Sequence, residues 1–162
     1  MMWLLYVLYA LVALVAAVFV AGQAGFLAGK EPPDLGVKDG RLKPPSPTQN
    51  SVSSQAGLYP DHPMKAYAEI APLKFTGEGR AAIDRIKRIV ETTEGARIIR
   101  TEPGYLYAQF QTRWLKFVDD AEFLADESAR VIQVRSASRI GRGDLGVNRA
   151  RIEAIRARFA AQ

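Results

Sequence analysis

The chain has 162 residues, with 22 Lys and Arg against 17 Asp and Glu, one His and no Cys. This composition excludes disulfides, thiolate chemistry and cysteine-based zinc or iron–sulfur sites. A lone His62 also excludes a His-rich cage, so neither a metal nor a cofactor is expected.

Every charged side chain lies after residue 29, which divides the chain into an uncharged head and a charged remainder with room for one hydrophobic core. Residues 1–28 read as a transmembrane anchor. Met1–Val20 is continuously apolar apart from Tyr6 and Tyr9, and about twenty helical residues span the ~30 Å of a bilayer's hydrocarbon core. Trp3, Tyr6, Tyr9 and Phe26 suit the two interfaces. A secretory signal would carry a basic start and a shorter apolar run, although Gly22-Gln23-Ala24 is a passable cleavage site. A retained single span in the inner (cytoplasmic) membrane is expected. Lys30, Lys38, Arg41 and Lys43 follow the span, and the positive-inside rule taken alone would leave the domain in the cytoplasm.

Residues 29–63 form a Pro- and Gly-rich extended segment, whose spaced apolar residues Leu35, Val37, Leu42, Val52, Leu58 and Tyr59 suit docking on a surface. Residues 64–162 read as an α+β domain. The pattern predicts a strand over 68–75, with Pro72 marking an edge or a bulge. A helix to about Thr93 follows, on an Ile83, Ile86, Val90 stripe. Strands are predicted over 97–102, 105–112, 115–125 and 130–140. A last helix begins near Asn148, read as its N-cap, and buries Ile152, Ile155 and Phe159. The order β-α-β-β-β-β-α implies two layers: a mostly antiparallel sheet with both helices on one face.

A two-residue loop at Glu127-Ser128 would pair Phe123 with Ile132 and Ala121 with Val134 on an apolar face, and Asp120 with Arg135 on the other. It also turns Asp119, Ser136 and Ser138 toward the core. An isolated buried carboxylate is costly, so these residues either form a satisfied structural knot or line a ligand pocket between sheet and helices.

The strings LGVKDGRLKPPSPTQNSVSSQA, FVDDAEF and VRSASRIGRGDLGVNRARIEAIRARF resemble a family of bacterial and plastid proteins, domain of unknown function 1499, over roughly residues 35–160. Within those strings fall Asn50, Ser53, Ser54, Gln55, Asp120, Arg135, Arg139, Asp144 and Asn148, with His62 just beyond the first, all of unknown role. Many members carry Pro-Asn-Cys where this chain has Gln49-Asn50-Ser51, so no redox or lipid-attachment role built on that cysteine transfers. The resemblance implies a compact domain behind a signal, lipid anchor or span. It also favours the periplasmic side, against the charge count.

From Arg130 onward eight arginines face only Asp144 and Glu153, a net +6. This motivates an accessory module that contacts a partner protein or anionic lipid through Arg149, Arg151, Arg156 and Arg158. Its bland alternative is a solvated helix face with internal ion pairs. A small-molecule carrier using Asp119, Ser136 and Ser138 is the second expectation. Nucleic acid is a third choice, because no recognition motif accompanies the arginines. An enzyme is least supported: Ser53 or Ser54, His62 and Asp119 supply triad ingredients without a G-x-S-x-G turn. Strand alternation separates Asp119 from Asp120 and Glu122, which argues against a divalent-cation site.

Overall fold

The computed structural model describes residues 2–161. Helix α1, Met2–Gln23, has a mean hydropathy of 2.7 over its most apolar window, none of it buried against the domain. At 1.5 Å per residue it is about 33 Å long, long and apolar enough to cross a membrane.

The domain contains β1 (Ser51–Ser53), a 3-10 turn (Ala56–Leu58), α2 (Lys65–Ala68), β2 (Leu73–Lys74) and α3 (Gly79–Glu91). Then come β3 (Ala96–Glu102), β4 (Tyr105–Gln111), β5 (Val118–Asp126), β6 (Val131–Ser138) and α4 (Val147–Ala160). The sheet order is β1-β6-β5-β4-β3, with β2 also pairing β6, and every strand pair is antiparallel. Helices α3 and α4 pack on one face through Ile83, Ile86, Ile89, Ile152, Ile155 and Phe159 against Leu106, Phe123, Ile132 and Val134. The α+β, two-layer reading therefore holds.

Its first strand is shorter than predicted. Residues 65–68 form a helical turn, and pairing with Ile132 and Val131 starts only at Leu73. Pro72 has no N–H to give a ladder, so the strand begins after it. A strand the pattern did not show, β1, pairs Val52 with Ser136 at the sheet edge. Three residues are too few for periodicity to register.

The β5–β6 hairpin lies two residues from the expected register. Asp119 faces Ser138, Ala121 faces Ser136 and Glu122 faces Arg135. The turn is four residues long because Asp126 Oδ1 accepts hydrogen bonds from Ser128 Oγ and the Ala129 N–H, while Arg130 takes a left-handed φ of 55°. A slip of two preserves which side chains share a face, whereas a slip of one would have inverted them.

The face away from the helices is covered by residues 31–47. Leu42 is buried against Tyr105 and Tyr107, with Leu35, Ile99 and Leu124 around them. The Gly36 N–H donates to Glu122 Oε1, and Arg135 Nε donates to the Pro44 carbonyl.

Candidate functional site

Two polar clusters occupy the two faces of the sheet. On the helix face, β5 and β6 carry Asp119, Ser136 and Ser138 inward at the end where the loop before α4 returns. Asp119 Oδ2 accepts from Arg151, and their side chains are 8% and 12% exposed. Arg151 Nη1 also donates to Ser136 Oγ and Asn148 Oδ1, at 3.0 and 2.7 Å. Its guanidinium lies 4.7 Å from the centre of the Phe110 ring. Ser136 Oγ donates to Asn148 Oδ1, and Asn148 Nδ2 donates to Ser138 Oγ, Asp144 Oδ2 and the Asn50 carbonyl.

Asn148 therefore does not cap α4. Its side chain is fully buried and joins β6, the loop before α4 and Asn50, the residue before β1. The N-cap position is Gly146, at a left-handed φ of 81°, and Asp144 two residues earlier supplies the capping acceptors: its oxygens accept the Gly146 and Asn148 N–H groups, both at 3.0 Å, and the Tyr67 hydroxyl. Burial pushes the Asp144 carboxyl upward, but the Tyr67, Asn148 and backbone donors outweigh it and hold the group below its usual value. A carboxyl whose folded value is depressed stabilises fully above its unfolded value of about 3.9 and stops doing so as pH falls through the folded one. Asp144→Ala is expected to cost about 0.5–2 kcal/mol at neutral pH. It should also flatten the decline in stability below about pH 4, read from urea unfolding of both proteins across that range.

This cluster floors a cleft of about 280 Å³, walled by Phe117, Ile140, Leu145 and Val147. Thr112, Asp119, Ser138 and Asp144 supply its polar lining, while Ser136 lies beneath. Asp119 Oδ1 accepts no hydrogen bond among the described residues, so the cleft offers one open acceptor beside the hydroxyls of Ser138 and Thr112. A larger groove of about 510 Å³ lies between residues 71–76 and the end of α4. Its Arg85 and Arg156 already donate to the carbonyls of Phe159, Pro72 and Ala71.

On the opposite face, under residues 31–47, Glu122 and Arg135 are 0% and 4% exposed, with 3.7 Å between Oε2 and Nη1. Tyr105 donates to Glu122 Oε1 at 2.8 Å. Asp120 is held by two bonds from Arg139, at 2.9 and 2.8 Å, and by the Tyr107 hydroxyl. Burial and the adjacent carboxylates push both tyrosine hydroxyls far above their usual range. Asp120 thus pairs with Arg139, and the register slip gives Arg135 to Glu122 instead. Alternation placed Tyr105 and Tyr107 on this face, but nothing local marked them as the carboxylates' donors.

The chain matches the family model described as "Protein of unknown function (DUF1499)" over residues 41–159. The chain belongs to the DUF1499 family. No curated protein and no solved structure matches it. In this DUF1499 domain, residues of the family strings are mostly internal fasteners. Asn50 Nδ2 donates to the Gly141 carbonyl, Ser53 Oγ accepts from the Gln55 N–H, and Ser54 Oγ donates to Gln133. Gln55 Oε1 accepts the Leu42 N–H, which ties residues 31–47 to the sheet edge.

The hydrolase ingredients do not meet. Ser54 bonds β6, Asp119 bonds Arg151, and His62 Nδ1 accepts the Met64 N–H. No group of three or more His, Cys, Asp or Glu able to hold a metal occurs among the described residues.

Of the four arginines expected to form an outward face, Arg149, Arg151 and Arg156 are half-buried and fastened to the domain's own chain, while Arg158 stays exposed. Arg149 donates to the Tyr67 and Glu69 carbonyls, and Arg151 joins the cleft cluster. Arg156 bonds Glu153 and the carbonyls of Ala71 and Pro72, and Arg158 bonds Thr92 and Thr93. A guanidinium has five N–H donors, and the irregular chain of residues 67–72, lacking ladder partners, supplies free carbonyls within reach. Sequence spacing also missed the cleft walls Ile140 and Val147, because they flank an irregular stretch whose path has no period to read.

Proposed function

We propose that the protein is a membrane-anchored, non-catalytic accessory module that holds one end of an amphipathic small molecule in the cleft above Asp119 and Ser138. The observation that carries this reading is the pairing of an apolar wall with a single open carboxylate oxygen on a satisfied floor. Binding sites of this kind are mostly apolar with a few placed polar groups. Asp119 is neutralised by Arg151, so the pocket favours an uncharged donor, such as a hydroxyl, over an ammonium group. At about 280 Å³ the cleft lies just below the roughly 300–1,000 Å³ of sites enclosing a whole drug-sized ligand. It accommodates the head of a longer molecule.

Helix α1 is proposed to span the inner membrane once, with the domain on the periplasmic side. A reporter fused after residue 162, active only in the periplasm, tests that orientation; cytosolic activity would reverse it.

For the cleft, native mass spectrometry of detergent-extracted protein should show a co-purified mass. That mass should be lost in Val147→Trp, which fills the mouth from a half-exposed position, and reduced in the isosteric Asp119→Asn. An adduct retained in both folded variants would end the proposal.

A further inference from the structure

Val37 and Leu58 aside, the exposed large apolar side chains of the domain lie on the two segments nearest α1 and the chain that follows it. Trp114 is 63% exposed, Val147 47% and Ile140 36%, while Leu145 is fully exposed at a left-handed φ of 51°. They sit on two loops, residues 112–117 after β4 and residues 139–146 with Val147, the first residue of α4. The first borders the end of α1, and the second borders the chain that follows it. The Phe19 and Trp114 rings lie 6.5 Å apart, and the Gln23 side chain donates to the Trp114 carbonyl at 2.7 Å. Gly22 is pressed so closely on Leu115 that a Cβ there would sit 2.7 Å from its carbonyl oxygen. A Cβ on Gly29, just past the helix, would meet Arg139 and Ile140 at 2.7 and 2.8 Å. The helix is thus fastened to the domain at the first loop, and the chain that follows it is packed on the second.

From these contacts we infer that the two loops are a bilayer-contact surface, seated in the headgroup and upper acyl region beside α1. The inference rests on reading α1 as a membrane span. Phe19 lies about 6 Å before Gln23 along the helix axis, so its neighbour Trp114 sits at the depth where tryptophan rings prefer to lie. A leucine fully in water at a left-handed φ has no internal stabilisation for that position, and lipid supplies its missing apolar partner.

The charge pattern agrees. Arg113 and Arg142 are exposed and Lys116 is half-exposed, whereas Asp144, the only acid in either loop, is buried and bonded. These loops therefore present only positive charge to anionic headgroups. Arg113 lies over the Trp114 ring, 5.0 Å from its centre, so the pair offers lipid an apolar ring with a basic rim.

The chain has no native cysteine, so single cysteines can carry an environment-sensitive fluorophore in the full-length protein. Leu145→Cys places the probe on the surface; Glu102→Cys, beside the β3–β4 turn at the far end of the sheet, is the control. The protein is reconstituted in vesicles of phosphatidylcholine with phosphatidylglycerol, with and without lipid brominated high on the acyl chain.

The Leu145 probe should shift to the blue and be quenched severalfold more than the Glu102 probe. Neutralising Arg113, Lys116 and Arg142 together to Gln should shrink the difference. If labelled protein floats with the vesicles but both probes report water, the bilayer-contact surface is overturned while the anchor stands. If the protein does not float, the anchor reading fails and this inference falls with it.

Discussion

Arg135→Met is expected to lower the unfolding free energy by about 3–5 kcal/mol, the usual cost of removing one partner of a buried ion pair. Glu122 is fully buried; its Oε1 is satisfied by Tyr105 and by the Gly36 N–H, but its Oε2 accepts no hydrogen bond among the described residues and faces the Arg135 guanidinium at 3.7 Å. Burial alone would push the arginine toward its neutral form, and Glu122 with Asp120 opposes this. Without the cation the carboxylate stays desolvated and unpaired. The Gly36 contact is then strained as well, so residues 31–47 should become more susceptible to protease. The double variant Glu122→Gln, Arg135→Met should recover much of the loss, because removing both charges eliminates the unpaired ion. Urea unfolding of the three proteins and the parent checks this. A single variant as stable as the parent would mean that the pair carries no stability.

Arg151→Met is expected to cost a similar amount, about 3–5 kcal/mol, although it lies on the helix read from sequence as an outward-facing interaction surface. Its loss strands Asp119 at 8% exposure and removes donors to Ser136 and Asn148 together with the contact over Phe110. Arg158→Gln provides the contrast. It loses bonds only to Thr92 and Thr93 at an exposed site, so its effect should stay within about 0.5 kcal/mol. Equal effects of the two substitutions on thermal unfolding would show that the buried pair is not what distinguishes them. A liposome assay on Arg158→Gln, Arg149→Gln and Arg156→Gln separates surface charge from internal fastening. If the loops beside α1 carry the bilayer contact, these three changes leave it intact.

The sequence alone determined whatever depends on local period. An uncharged run of the right length specifies an apolar rod, a spacing of three and four residues specifies the helix stripes, and alternation assigns side chains to the two faces of the sheet. For that reason Asp119, Ser136 and Ser138 were legible as inward-facing, and the two-residue slip in the hairpin left that assignment unchanged. Tertiary structure alone decided who pairs with whom. Arg135 meets Glu122 rather than Asp120, Asp144 rather than Asn148 supplies the acceptors for the start of α4, and Arg149 and Arg156 bond carbonyls more than 60 residues away. Such choices depend on turn length and on where irregular chain leaves carbonyls free, neither of which has a period to read. The cleft and the apolar loop surface beside it are products of that long-range arrangement, since each is built from loops separated by the β5–β6 hairpin.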